Sequence, residues 1–123
     1  MSKTFLILGA VFLALAVILG AFGSHVIKDK LTADRFDIYQ TAQEFQFYHA
    51  LGLVLIGILL LHYPDNAWIT GCGWLLTGGI VIFSGSLYTL VLTNTSWLGA
   101  ITPIGGVAFI AGWVSLIIGL WRG

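Results

Sequence analysis

The stretch Ala67–Leu92, AWITGCGWLLTGGIVIFSGSLYTLVL, decides how this chain folds. It carries no charged residue and exceeds the roughly 20 residues an α-helix needs to cross the hydrocarbon core of a bilayer. Its apolar residues run on without the alternation of a barrel strand. Two further segments, Phe5–Gly23 and Leu98–Trp121, also reach spanning length. Ala50–Leu61 is shorter, and reaches it once the amphipathic stretch Phe45–His49 is added. The spans are therefore expected near residues 5–23, 45–62, 67–92 and 98–121.

Composition agrees. Of 123 residues, 59% are hydrophobic and 8% are charged, too few for the surface of a soluble domain of this size. Lipid offers the backbone no hydrogen bonds, so uninterrupted apolar segments must be helices. A net formal charge of zero and the lack of a basic run argue against a nucleic-acid partner. Cys72 is the single cysteine, which excludes an internal disulfide and reads as a small packing residue. Lys3 followed by an apolar run and Ala21-Phe22-Gly23 superficially resembles a signal peptide, but the run is long for one, and a retained helix is expected.

The short connections near His62–Asn66 and Thr93–Ser96 force antiparallel neighbours. The expected fold is thus all-α: one membrane domain of four transmembrane helices in an up-down bundle, both termini on one side. The polar stretch Ser24–Glu44 reads as a long loop, with Thr32 or Asp34 as N-cap of the helix that follows. The stretch Ala33–His49, which starts within it, reads as an interfacial amphipathic helix leading into the second span. Its stripe Tyr39, Ala42, Gln46, His49 and Leu53 recurs at steps of three and four. Lys28, Lys30 and Arg35 against Lys3 and Arg122 lean towards a cytoplasmic long loop.

Glycines recur every seven residues as Gly71, Gly78 and Gly85 in the third span and as Gly105, Gly112 and Gly119 in the fourth. Small residues let membrane helices approach closely. These two stripes are expected to pack helices, within the bundle or between copies.

Polar residues gather at the long-loop end: His25, Gln46, His49, Ser84, Ser86, Tyr88 and Thr102. Hydroxyls in such places ordinarily bond back to their own helix. A histidine at a membrane boundary ordinarily bonds a carbonyl or water. The sharper expectation is a clamp in which His25 and His49 face each other across the first two spans. Two histidines form a sparse set for metal or haem, no cofactor is expected, and no deep acid supports a serine nucleophile.

Four ordered motifs carry a family likeness. They are Gly20-Ala21-Phe22-Gly23-Ser24-His25; Thr41-Ala42 with Phe45-Gln46 and His49-Ala50-Leu51; Phe83-Ser84-Gly85-Ser86-Leu87-Tyr88; and Thr102-Pro103 with Gly105-Gly106. Together they resemble the domain-of-unknown-function 423 family, whose eukaryotic relatives are called transmembrane protein 256. Phe45 and Ser24 depart from its pattern, where Tyr and Ala are expected. The resemblance implies a small four-helix protein of the bacterial plasma membrane and brings no established activity. The function expected is non-enzymatic, exerted through helix packing as a homo-oligomer or a subunit of a membrane partner, among membrane lipids. The alternative is binding or transport of a lipid or small solute through a polar pocket in one leaflet. A histidine-ligated metal or haem protein comes third.

Overall fold

The computed structural model describes residues Met1–Gly123. It is helical and without strands. Four helices, Ser2–Lys30, Ala33–His62, Ala67–Thr93 and Ser96–Arg122, are long and apolar enough to cross a membrane. They run up and down, and they extend beyond the apolar cores of the first two spans.

The polar stretch after the first span is not a loop. The first helix continues to Lys30 through a short 3-10 turn, and the second starts at Ala33. Only Leu31 and Thr32 separate them. Thr32 is extended and its Oγ1 accepts the Arg35 N–H at 3.3 Å, which satisfies one of the free donors of the new helix. The amphipathic stretch Ala33–His49 then runs into the second span without a break. Its stripe of Tyr39, Ala42, Gln46, His49 and Leu53 is buried along its whole length, while Asp37 and Glu44 are exposed.

The first two spans lie antiparallel in a register set by three bonds. Ser2 Oγ donates to Gly57 O at 2.7 Å, Gln46 Nε2 to Phe12 O at 2.8 Å, and the Tyr39 hydroxyl to Leu19 O at 2.6 Å. Glycines set the closeness: a Cβ on Gly57 would lie 2.7 Å from Leu6 Cγ. The third and fourth spans pair in the same way. Ser115 Oγ donates to Trp68 O at 2.6 Å. The second and third spans share the middle, and the first and fourth flank them.

Apolar side chains fill two separate regions. The larger, around Phe5, Leu53, Ile56, Ile69 and Leu76, occupies the half nearer the termini. The smaller, Tyr39 with Leu90 and Val91, lies at the opposite end.

Both short turns are fixed by asparagines. Asn94 takes the left-handed conformation with φ 56°, which asparagine tolerates better than most residues, and ends the third span. Asn66 Oδ1 accepts from Trp68 N and Ile69 N, while its Nδ2 donates to Gly119 O at 2.8 Å. One side chain therefore caps the third span and ties it to the end of the fourth. Asn66→Ala is expected to lower stability by about 1–2 kcal/mol in detergent unfolding. Asn66→Asp keeps the cap acceptor and should recover part of that loss.

Candidate functional site: a groove between the first and third spans

The first and third spans touch near the termini. Phe5 is fully buried, and a Cβ on Gly73 would lie 2.4 Å from its ring. Towards the other end the two spans part, and a groove of about 310 Å³ opens between them. Phe12, Leu15, Ile18 and Leu19 form one wall; Ile80, Val81, Ser84 and Gly85 form the other. Gln46 on the second span and Tyr88 complete it.

Each wall contains a stretch of π-helix, Ile18–Gly23 in the first span and Ile80–Ser84 in the third. A π turn carries an extra residue, re-aims the side chains around it, and is frequent at functional sites. Each also adjoins a glycine-containing motif noted in the sequence, Gly20–His25 and Phe83–Tyr88. Gly85 keeps the third-span wall back: a Cβ there would meet nothing within 4 Å.

The polar members of the groove are tied to the protein. The Tyr88 hydroxyl donates to Gln46 Oε1 at 2.7 Å, and Gln46 Nε2 donates on to Phe12 O. Ser84 Oγ donates to Ala42 O at 2.7 Å, across to the second span rather than back to its own helix. No buried side-chain nitrogen or oxygen lacks a partner. Three spans are thus stitched together behind a largely apolar lining.

The residues singled out in the sequence do not form one cluster. Gln46, Ser84 and Tyr88 meet at the groove. Ser86 and Thr102 bond each other at 2.6 Å between the third and fourth spans. His49 is 8% exposed, sets Nδ1 2.8 Å from Phe45 O, and stacks on Phe109 with ring centres 3.6 Å apart. His25 is exposed. The two histidines therefore do not form the expected clamp. In the register set by Ser2–Gly57 and Phe12–Gln46, His49 lies level with Ala10 and His25 with Asp34. At 1.5 Å per residue that is a separation of about 22 Å along the bundle. No group of three or more His, Cys, Asp or Glu side chains converges.

The glycine stripes also part company. Gly105, Gly112 and Gly119 face inward: a Cβ would lie 2.5 Å from Phe83 N at Gly105 and 2.9 Å from Trp68 Cβ at Gly119. Gly78 and Gly85 face open space, and Gly71 only grazes Ser115. Packing depends as much on Gly9, Gly57, Gly73 and Gly79, which lie off the stripes. Sequence reasoning also missed Phe12, Leu15, Ile18 and Val81, because apolar wall residues look like any lipid-facing residue.

The family model described as "Protein of unknown function (DUF423)" matches residues 19–106, which include the π turn of the third span and all but Ile18 of the one in the first. A UPF0382 membrane protein of Staphylococcus saprophyticus is 50% identical over 121 residues, covering 98% of each chain. The UPF0382 membrane protein YwdK of Bacillus subtilis is 46% identical over 116 residues, covering 94% of each. No solved structure matches significantly. On the family match and on identity across nearly its whole length, this membrane protein belongs to the DUF423 family.

Proposed function

We propose that this small membrane protein is a non-enzymatic binder of a lipid or lipophilic small molecule, held in the groove between the first and third spans. The observation that carries the reading is the pair of π turns, one in each wall, beside a glycine that leaves the space unfilled. Pockets that take small molecules are concave and mostly apolar, with a few placed polar groups, and this groove has that form. The expected polar pocket in one leaflet becomes an apolar groove with polar groups bound behind it. On the distribution of Lys28, Lys30 and Arg35, the end carrying the groove faces the cytoplasm. The bacterial source of the relatives named above supports reading the membrane as the plasma membrane.

Gly85→Leu is the test. Gly85 lines the groove and a Cβ there meets nothing within 4 Å, so the added side chain should take up groove space while the variant keeps its unfolding midpoint. Mass spectrometry of gently extracted protein should find a bound lipophile on the parent and none on the variant. Equal retention by both would defeat the reading.

A second reading has its own observation. Gly78 presents an open backbone surface beside exposed Trp74 and Val81, which suits a helix from a second copy or a partner subunit. Gly78→Leu would then reduce the native mass to that of the monomer while leaving its fold intact. An unchanged mass would set this reading aside.

A further inference from the structure

We propose that the occupant of the groove is one hydrocarbon chain of a lipid, drawn tail-first from the leaflet on the Lys28–Arg35 side, with its headgroup unread. This rests on the lipid-binding reading above and adds the class, direction and selectivity of the ligand.

Depth comes first. The middle of the apolar run Phe5–Gly23 falls near Ala14, and that of Ala67–Leu92 near Gly79. The groove runs from Phe12 and Ile80 to Leu19 and Tyr88. It therefore starts close to the bilayer centre and rises towards one surface only. Eight residues from Ile80 to Tyr88 span about 12 Å, against about 15 Å for half the hydrocarbon core. That is the reach of most of one leaflet's chains. Below it, Phe5 packed against Gly73 and set edge-on to Trp74 at 5.0 Å joins the two spans. The groove is a dead end, and a chain can enter it but not cross.

Chemistry narrows the occupant. No ionised residue lines the groove. Its amide and phenol are committed to each other and to Phe12 O, and its serine to Ala42 O. A charged headgroup or a solute in need of several hydrogen bonds finds no free partner. Arg35, the cation nearest in sequence to this end of the second span, is engaged by Leu90 O and Ser96 Oγ, each at 3.3 Å. Leu15, Ile18 and Val81 are exposed at the rim, so the groove opens sideways into hydrocarbon. Apolar space of this kind stays dry. A lipid chain is what that medium supplies to fill it.

The experiment uses the full chain in nanodiscs. They are doped with phosphatidylcholine or phosphatidylglycerol bearing a photoactivatable diazirine either near the carbonyl or near the end of one chain. Adducts are located by peptide mass spectrometry. End-of-chain probes are expected at Phe12 and Ile80, and near-carbonyl probes at Leu19 and Tyr88. Both headgroups should give the same yield, and Gly85→Leu should reduce it by about tenfold. Val81→Trp, which covers the rim from outside, is a second blocking variant should Gly85→Leu prove unstable. A strong preference for one headgroup, or the reverse order of depths, with labelling still sensitive to Gly85→Leu or Val81→Trp, overturns this inference and leaves a lipid-binding groove. Labelling that neither variant diminishes overturns both.

Discussion

Gly105→Leu is expected to force the third and fourth spans apart and to lower stability by about 3 kcal/mol, the upper end of ordinary overpacking costs. A Cβ on Gly105 would lie 2.5 Å from the backbone nitrogen of Phe83 and 2.7 Å from its Cβ. A flexible side chain could swing aside, but a backbone atom inside a neighbouring helix cannot. The collision falls at the π turn Ile80–Ser84, so the strain also enters the groove wall. Gly78→Leu is the matched control, because a Cβ at that site meets nothing within 4 Å. It should stay within about 0.5 kcal/mol of the parent as a monomer. Reversible unfolding of both variants in mixed micelles provides the comparison. Equal losses would mean that the fourth-span glycines do not hold the bundle together.

This contrast also shows what the sequence could and could not carry. Heptad spacing placed each stripe on one helical face. It could not choose which face, because lipid and protein interiors are equally apolar and no polar side marks the outside. The spans were legible because bilayer thickness and backbone hydrogen bonding leave little freedom. Thr32 was legible as a cap, yet the charges of Ser24–Glu44 suggested a loop. In the folded chain those charges ride on helix ends that outrun the apolar core. Assigning the polar stretch to a loop also misplaced His25, whose helix continues straight past the level where a hairpin would have returned it to His49.

The groove was half legible. Gln46, Ser84 and Tyr88 stood out as polar residues in apolar surroundings, and Gly85 lay in a recognisable motif. The walls did not stand out, since a π turn has no composition of its own and Ile18 or Val81 is unremarkable in a span. Ser84 illustrates the remaining gap. A serine in a membrane helix ordinarily bonds to its own backbone, as Thr77 does here to Gly73 O. Ser84 is 1% exposed and faces the second span, so Ala42 O is the carbonyl within reach.

Gln46→Leu should cost about 2–3 kcal/mol, more than any other polar substitution in the bundle. Interhelical bonds in membranes contribute about 0.6 kcal/mol on average and up to about 1.7. Gln46 makes two of them, to Phe12 O in the first span and from Tyr88 in the third. The larger part of the cost comes from what is left behind. Phe12 O can fall back on its own helix, but the Tyr88 hydroxyl loses its acceptor in a place without water, a penalty of about 1–3 kcal/mol. Tyr88→Phe alone removes one bond and leaves the glutamine oxygen bare, at about 1 kcal/mol. In Gln46→Leu/Tyr88→Phe neither group is orphaned, so the double variant should lose about 1 kcal/mol less than the sum of the singles. Strict additivity would show that amide and phenol do not bond in the bilayer. The coupling has a functional consequence as well. The pair holds the first span to the second at the level where the first and third diverge. Without it the first span can close on the third, so Gln46→Leu should weaken lipophile retention even though leucine makes the lining more apolar.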